Sequence, residues 1–240
     1  MSMRKWMAGA LLLFFTTGIQ AQGLQDFFNT SDAFLKAHVA DGLVDYKAIK
    51  QDDVQLKSLV EMIGIIQVAK TDKDNYQAFL INAYNLLVIQ SVIENYPLKS
   101  PLDKAGFFDK TTHTVMGTPR TLNDIEHKLL RAVFPEESRF HFVLVCAGLG
   151  CPPLIATAYR PETLEAQLQT QTEMALNDPQ FIRIKKNKVG ISQLFEWYTG
   201  DFTQGGISLA QYINTYRKEP LPQKAKLSYY AYDWRLNEKK

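Results

Sequence analysis

The chain has 240 residues, 27 Lys and Arg against 25 Asp and Glu, and 46% hydrophobic residues. That is enough apolar material for one substantial core, and it lacks the surplus of positive charge on which phosphate-backbone binding rests, which argues against nucleic acid as a partner. With two cysteines and four histidines, any cysteine chemistry is confined to one place, and the His-x4-Cys-x4-Cys spacing matches no common zinc pattern, so no metal is expected.

Residues 1–21 set Arg4 and Lys5 before an apolar run, Trp6 to Phe15, and close on Gly18-Ile-Gln-Ala21. This is the pattern of a secretory signal peptide. The run falls short of the roughly 20 residues of a spanning helix, and no later segment is read as one. The mature protein is therefore expected to be periplasmic or secreted and not membrane-spanning. Its balance changes from 27 against 25 to 25 basic against 25 acidic residues, because the segment holds two basic and no acidic ones. Residues 22–240 are expected to form a single globular domain.

In chain order, Leu24 to Val39 reads as an amphipathic helix, Gly42 to Lys47 as a short extended segment and Val54 to Ala69 as a second helix. Asp74 to Tyr96 is the strongest helix. Its interior, Phe79-Leu-Ile-Asn-Ala-Tyr-Asn-Leu-Leu-Val-Ile89, is apolar nearly all round, which predicts a place in the middle of the fold, and Pro97 ends it. Thr111 to Val115 alternates like a strand, and Met116-Gly-Thr-Pro119 turns the chain. Thr121 and Asp124 form a variant capping box that predicts a helix over Leu122–Val133. Phe140 to Cys146 reads as a buried strand, Ala147-Gly-Leu-Gly150 as a tight loop and Cys151-Pro-Pro as the start of the next element. Pro161 opens a helix to Leu176, Phe181–Lys185 and Lys188–Ser192 suit a hairpin around Asn187, Leu194–Tyr198 and Ser208–Tyr216 look helical, and Leu227–Trp234 reads as a last strand. The fold class is α+β, with helices packed around a small, mostly antiparallel sheet and a central apolar helix over 74–96.

The chemistry-bearing residues gather near the two cysteines. If a helix follows Cys151, that thiol sits at its N-cap, where unpaired N–H groups lower a thiol pKa. Pro152 and Pro153 lack N–H groups, however, so oxyanion donors would have to come from a side-chain amide. Strand alternation puts Cys146 on the face opposite His141, which leaves His141 and Cys151 as the more reachable couple. The alternatives for the cysteines are a disulfide, which an exported protein permits, and two inert buried thiols. Glu126 flanks the apolar stripe of its helix, and His127 and Arg131 share the neighbouring face. Asn82 and Asn85 lie three apart on one face of the most apolar helix, so each needs a hydrogen-bond partner, from the backbone or from a ligand. Trp197, Tyr198, Asp201 and Phe202 form an aromatic and acidic cluster that reads as a core edge.

The runs Phe79-Leu-Ile-Asn-Ala-Tyr-Asn85, Leu122-Asn-Asp-Ile-Glu-His-Lys-Leu-Leu-Arg131, Arg139 to Pro153 and Tyr232-Asp-Trp-Arg-Leu-Asn237 resemble, in order, the bacterial members of the family called domain of unknown function 547. The resemblance puts the family's motif positions on Asn82, Tyr84, Asn85, Glu126, His127, Arg131, His141, Cys146 and Cys151. This set is similar in composition to the toolkit of papain-like and transglutaminase-like cysteine enzymes, an analogy of residue type that implies no shared fold.

The expected function is an exported cysteine-dependent hydrolase or acyl transferase acting on a peptide-like or amide bond in the cell envelope. Cys151, or else Cys146, attacks; His141 or His127 takes the proton; Glu126 orients the imidazole; and Asn82, Asn85 or Arg131 contacts the substrate or its oxyanion. No cofactor is required, and the partner is a small peptide-like or envelope ligand. The alternative is a non-catalytic envelope protein that binds a ligand or serves structure, with Cys146 and Cys151 bridged. Thiol–disulfide exchange is weaker, because Cys-x-x-Cys is absent.

Overall fold

The computed structural model describes residues 22–240, so the signal-peptide assignment lies outside the described residues. The described residues open on helix α1, helical over 22–38, and a small antiparallel ribbon, β1 (Val39–Ala40) and β2 (Leu43–Val44), follows it. Helix α2 (Tyr46–Gln51), which the sequence pattern does not announce, is capped by the Asp45 carboxylate accepting from Ala48 N–H. Helix α3 (Val54–Ile65) stops short of the expected end at Ala69.

Helix α4 (Lys73–Glu94) is the axis of the fold. From Ala78 to Ile89 every residue is buried, because α1, α2, α3 and the chain around 122–159 cover it on all sides. Its length and its mean hydropathy of 1.2 over 18 residues would suit a membrane span, which corrects the expectation that no later segment does. The apolar surface is already covered by protein, with 94% of that window buried.

The hairpin β3 (Thr112–Val115) and β4 (Thr118–Thr121) turns at Met116-Gly117, both at positive φ, a backbone shape that suits glycine. The capping box forms as expected: Asp124 N–H donates to Thr121 Oγ1 at 3.1 Å and Thr121 N–H to the Asp124 carboxylate at 3.0 Å. The helix it opens departs from α geometry, since Asp124–Arg131 is wound as a π-helix and Ala132 N–H reaches His127 C=O, five residues back.

The strand expected over Phe140–Cys146 does not form. A 3-10 helix, Ser138–Phe142, takes its first part and an irregular buried segment the rest. The run is buried on both sides, with Phe140 in the core around α4 and Phe142 in a second core. An apolar run of this kind carries no periodicity to distinguish a strand from any other buried conformation. Arg139 holds the turn in place through Glu137 and through Glu165 of α5 (Leu164–Asn177). The second core gathers Phe142, Phe181, Phe195 and Phe202. Around it lie α5, the strands β5 (Arg183–Lys185), β6 (Lys188–Ser192) and β7 (Lys226–Tyr230), and the short helices α6 (Leu194–Trp197), α7 (Thr199–Phe202) and α8 (Leu209–Tyr216). Strands β5 and β6 make the expected hairpin, whereas β7 returns parallel to β6. The α+β class holds, with small sheets beside a helical centre.

Candidate functional site

The site lies where the two cores meet. Cys151 packs against both of them and Cys146 against the second. The chain reaches Cys146 under the control of Asn85 on α4, whose amide donates to Val143 C=O and accepts from Val145 N–H, each at 2.9 Å. Asn82, one turn earlier, does the same for Tyr159, donating to its C=O at 2.8 Å and accepting from its N–H at 3.0 Å. Both side chains thus act as backbone substitutes inside the core, and their partners are protein rather than a ligand.

Cys146 and Cys151 are joined as a disulfide. The loop between them is fastened by the C-terminal segment: Leu149 N–H donates to Arg235 C=O at 2.7 Å, Gly150 N–H to Asp233 C=O at 2.8 Å, and Asn237 N–H to Ala147 C=O at 2.9 Å. A Cβ on Gly150 would lie 2.8 Å from Asp233 N and 2.9 Å from the Tyr232 ring, so only glycine permits this approach. Tyr232 in turn sets its hydroxyl 2.9 Å from Cys151 Sγ and 3.1 Å from Cys146 Sγ. No helix begins at Cys151-Pro-Pro; the residues after it form an isolated bridge between Leu154 and Gly42. The N-cap argument for an acidified Cys151 therefore falls away, since two prolines in extended geometry do not supply a helix start.

The two cysteines line different openings, which share Pro152 as a wall. Cys146 lines a cavity of about 400 Å³ together with His141, Glu126, Tyr198, Trp197 and Trp234. Cys151 lines a separate, more polar cleft of about 540 Å³ with Gly150, Arg183, Tyr230, Asp233 and Arg235. Since 138–142 is a tight helical turn, the strand alternation that would separate His141 from Cys146 does not apply, and both residues reach the same cavity.

His141 is held from behind by Asp201, a residue that the sequence marks only as part of a core edge. The carboxylate can only accept, so His141 Nε2–H donates to Asp201 Oδ2, at 2.8 Å, and Nδ1 is left to take a proton. Arg131 binds the same carboxylate through two nitrogens, at 2.7 and 2.9 Å. The His141 hydrogen bond and the Arg131 pair hold the Asp201 carboxyl well below the usual carboxylate range, against a burial penalty that acts the other way. The ring of Tyr198 lies 4.0 Å from that of His141 and the Arg131 guanidinium 4.7 Å from Tyr198. Burial, and then the nearby Glu126 charge, push the Tyr198 phenol up out of its ordinary range.

The π-helix places the remaining candidates. Glu126 is buried and faces the cavity, but the acid on the His141 imidazole is Asp201. His127, with 40% of its side chain exposed, does not line this cavity; its Nδ1 accepts from Arg131 at 2.7 Å and lies 3.8 Å from Glu126 Oε1. Among the described residues no group of three or more His, Cys, Asp or Glu side chains is arranged to hold a metal ion.

Residues 68–174 match the model of the family described as "Protein of unknown function, DUF547", the family that the sequence motifs resemble. This stretch takes in α4, the π-helix, His141 and both cysteines, while Asp201 and the closing run Tyr232–Asn237 lie beyond it. No curated protein and no solved structure matches the chain.

Proposed function

We propose that the protein is a cysteine-dependent hydrolase or acyl transferase acting on an amide or peptide-like bond, with Cys146 as the nucleophile, held in reserve by its bridge to Cys151. The observation that carries this reading is the meeting of Cys146 with His141 in one open cavity, with Asp201 fixing the imidazole from behind. Reduction frees the nucleophile. A dithiol reductant attacks Cys151 Sγ from the polar cleft and forms a mixed disulfide, Cys146 leaves as a thiolate into the cavity, and the second thiol of the reductant then releases Cys151 and leaves the reductant oxidised.

In the reduced protein His141 Nδ1 takes the proton of the Cys146 thiol, and the sulfur attacks the carbonyl carbon. The tetrahedral intermediate collapses to a thioester as the amine leaves with the proton from His141, and water or an acceptor amine then releases the acyl group. Asp201 keeps the imidazole oriented, and Arg131 balances its charge. With Cys146 in this role, the prolines after Cys151 no longer strip hydrogen-bond donors from beside the attacking sulfur. The basic start and apolar run of residues 1–21 support a place in the envelope or outside the cell, where bridges form and persist.

The Cys151→Ser variant leaves Cys146 without a bridging partner and provides the test. Mixed with p-nitrophenyl acetate, it should release a burst of nitrophenolate and carry one acetyl group on Cys146, while Cys146→Ser should do neither. An equal, burst-free response from the two variants would end the reading. A second reading, a non-catalytic binding protein with a permanent bridge, is favoured by the disulfide itself. It expects wild-type protein to keep the bridge in the presence of a dithiol and both variants to remain unacylated.

A further inference from the structure

The walls of the Cys146 cavity are chemically one-sided. Trp197, Tyr232 and Trp234 form a continuous aromatic surface, with Trp197 and Trp234 stacked at 6.0 Å and Tyr232 lying 5.1 and 4.8 Å from them. Tyr84, Tyr198 and Phe108 add further rings. The charged side chains of the lining are two carboxylates, Glu126 and Asp109, and no Lys or Arg belongs to it. Arg131, whose guanidinium lies 4.7 Å from the Tyr198 ring, does not line the cavity; it is paired with Asp201 and also feels the Glu126 charge.

Aromatic faces carry the negative side of the ring quadrupole, so a wall of them next to carboxylates attracts an organic cation and repels an anion. Trp197 adds to this, because 46% of its surface is open although it stacks on Trp234. A large indole face left wet at the mouth of a cavity is suited to be covered by a ligand. Glu126 lies deeper, with 12% of its side chain exposed, so an ammonium that reaches it meets a carboxylate partly shielded from water.

We infer that this cavity recognises ligands bearing a cationic amine, held by the faces of Trp197 and Trp234 and by the Glu126 carboxylate, in the same cavity that Cys146 lines. Resting on the acyl-transfer reading, this makes the substrate class an amide or peptide that carries a lysine-like ammonium group near the reacting carbonyl. The ligand preference itself needs no catalysis and holds for the bridged protein as well.

The experiment uses the tryptophan fluorescence of the oxidised wild-type protein, titrated with acetyl-lysine methylamide and with acetyl-norleucine methylamide, which share a linear side chain and differ in charge. The lysine probe should bind about tenfold tighter, the scale expected of one partly desolvated cation–π contact. Glu126→Gln and Trp197→Leu should each remove most of that difference while leaving the norleucine probe within about twofold. Equal binding of the two probes, or tighter binding of the neutral one, would overturn the inference. So would substitutions that weaken both probes alike, which would mark a plain apolar wall. If the lysine preference appears and Cys151→Ser takes up no acetyl group, the cation site stands and the catalytic proposal falls. If Cys151→Ser is acetylated and the lysine preference is missing, acyl transfer stands and the cation site falls.

Discussion

Helix α4, on a largely apolar sequence, and the π-helix, on a mostly polar one, both carry buried polar side chains, and they use them in opposite ways. On α4, Asn82 and Asn85 spend their amides on the backbone of Tyr159, Val143 and Val145. On the π-helix, Glu126 faces an open cavity and Arg131 reaches across to Asp201 on α7. A buried amide matches a backbone donor and acceptor pair almost perfectly, so an asparagine inside a core serves to pin a loop. A carboxylate has no donor and cannot pin a backbone in this way; Glu126, at the cavity wall, takes the Tyr198 phenol as a hydrogen-bond partner and lies 3.8 Å from His127 Nδ1. Burial of a polar residue is thus not in itself a sign of catalysis; what matters is whether the protein already completes its hydrogen bonds.

The sharpest way to break this contrast is Asn85→Ala. It strands a buried carbonyl and a buried N–H, at about 1–3 kcal/mol for each, and should lower the urea midpoint more than any other change considered. If stability barely moves, Asn85 is not the pin described. Next comes Gly150→Ala, whose Cβ meets the Asp233 backbone and the Tyr232 ring. Overpacking of this kind costs about 1–3 kcal/mol, and it should also shift Tyr232 away from the sulfurs, seen as a change in near-ultraviolet circular dichroism.

Asp201 sharpens the comparison through pH. Its folded-state pKa is depressed from 3.8 by the His141 hydrogen bond and the Arg131 pair. Its contribution is therefore present above that value and is lost as pH falls below it towards the folded pKa. Thermal melts of the wild type should drop as pH falls below about 4, and Asp201→Asn should flatten that part of the curve. The smallest effect belongs to His127→Ala, a half-buried position whose loss removes one hydrogen bond to Arg131; it should change stability by about 1 kcal/mol and leave acylation of the Cys151→Ser background unchanged. A large loss of acylation would restore His127 as a base.

Much of the fold is legible in the sequence where a pattern is strong. The apolar run of α4, the Thr121 and Asp124 box, and the β5 and β6 hairpin all appear with bounds close to those expected. The stretch before Cys146 is not legible in this way, because a run apolar at every position carries no period, and two cores claim its alternate phenylalanines. The error spreads to the site, since a strand would have kept His141 and Cys146 on opposite faces. The pairing of Asp201 with His141 is hidden because 60 residues of chain separate them; the signal available is an acid among aromatic residues in Trp197-Tyr-Thr-Gly-Asp-Phe202. The π-winding of Asp124–Arg131 leaves no trace in the apolar periodicity.

The central claim is that Cys146 enters the His141 cavity as a reactive thiol once its bridge is opened. Its most direct measurement is the rate of iodoacetamide labelling at each cysteine of the folded, dithiol-treated protein, read by peptide mass spectrometry across pH. Cys146 should label well before the pH at which an ordinary thiol ionises, and Asp201→Asn and His141→Ala should remove that early reactivity without unfolding the chain. Labelling of Cys146 only after denaturation, or with an ordinary thiol profile that neither substitution alters, would contradict it.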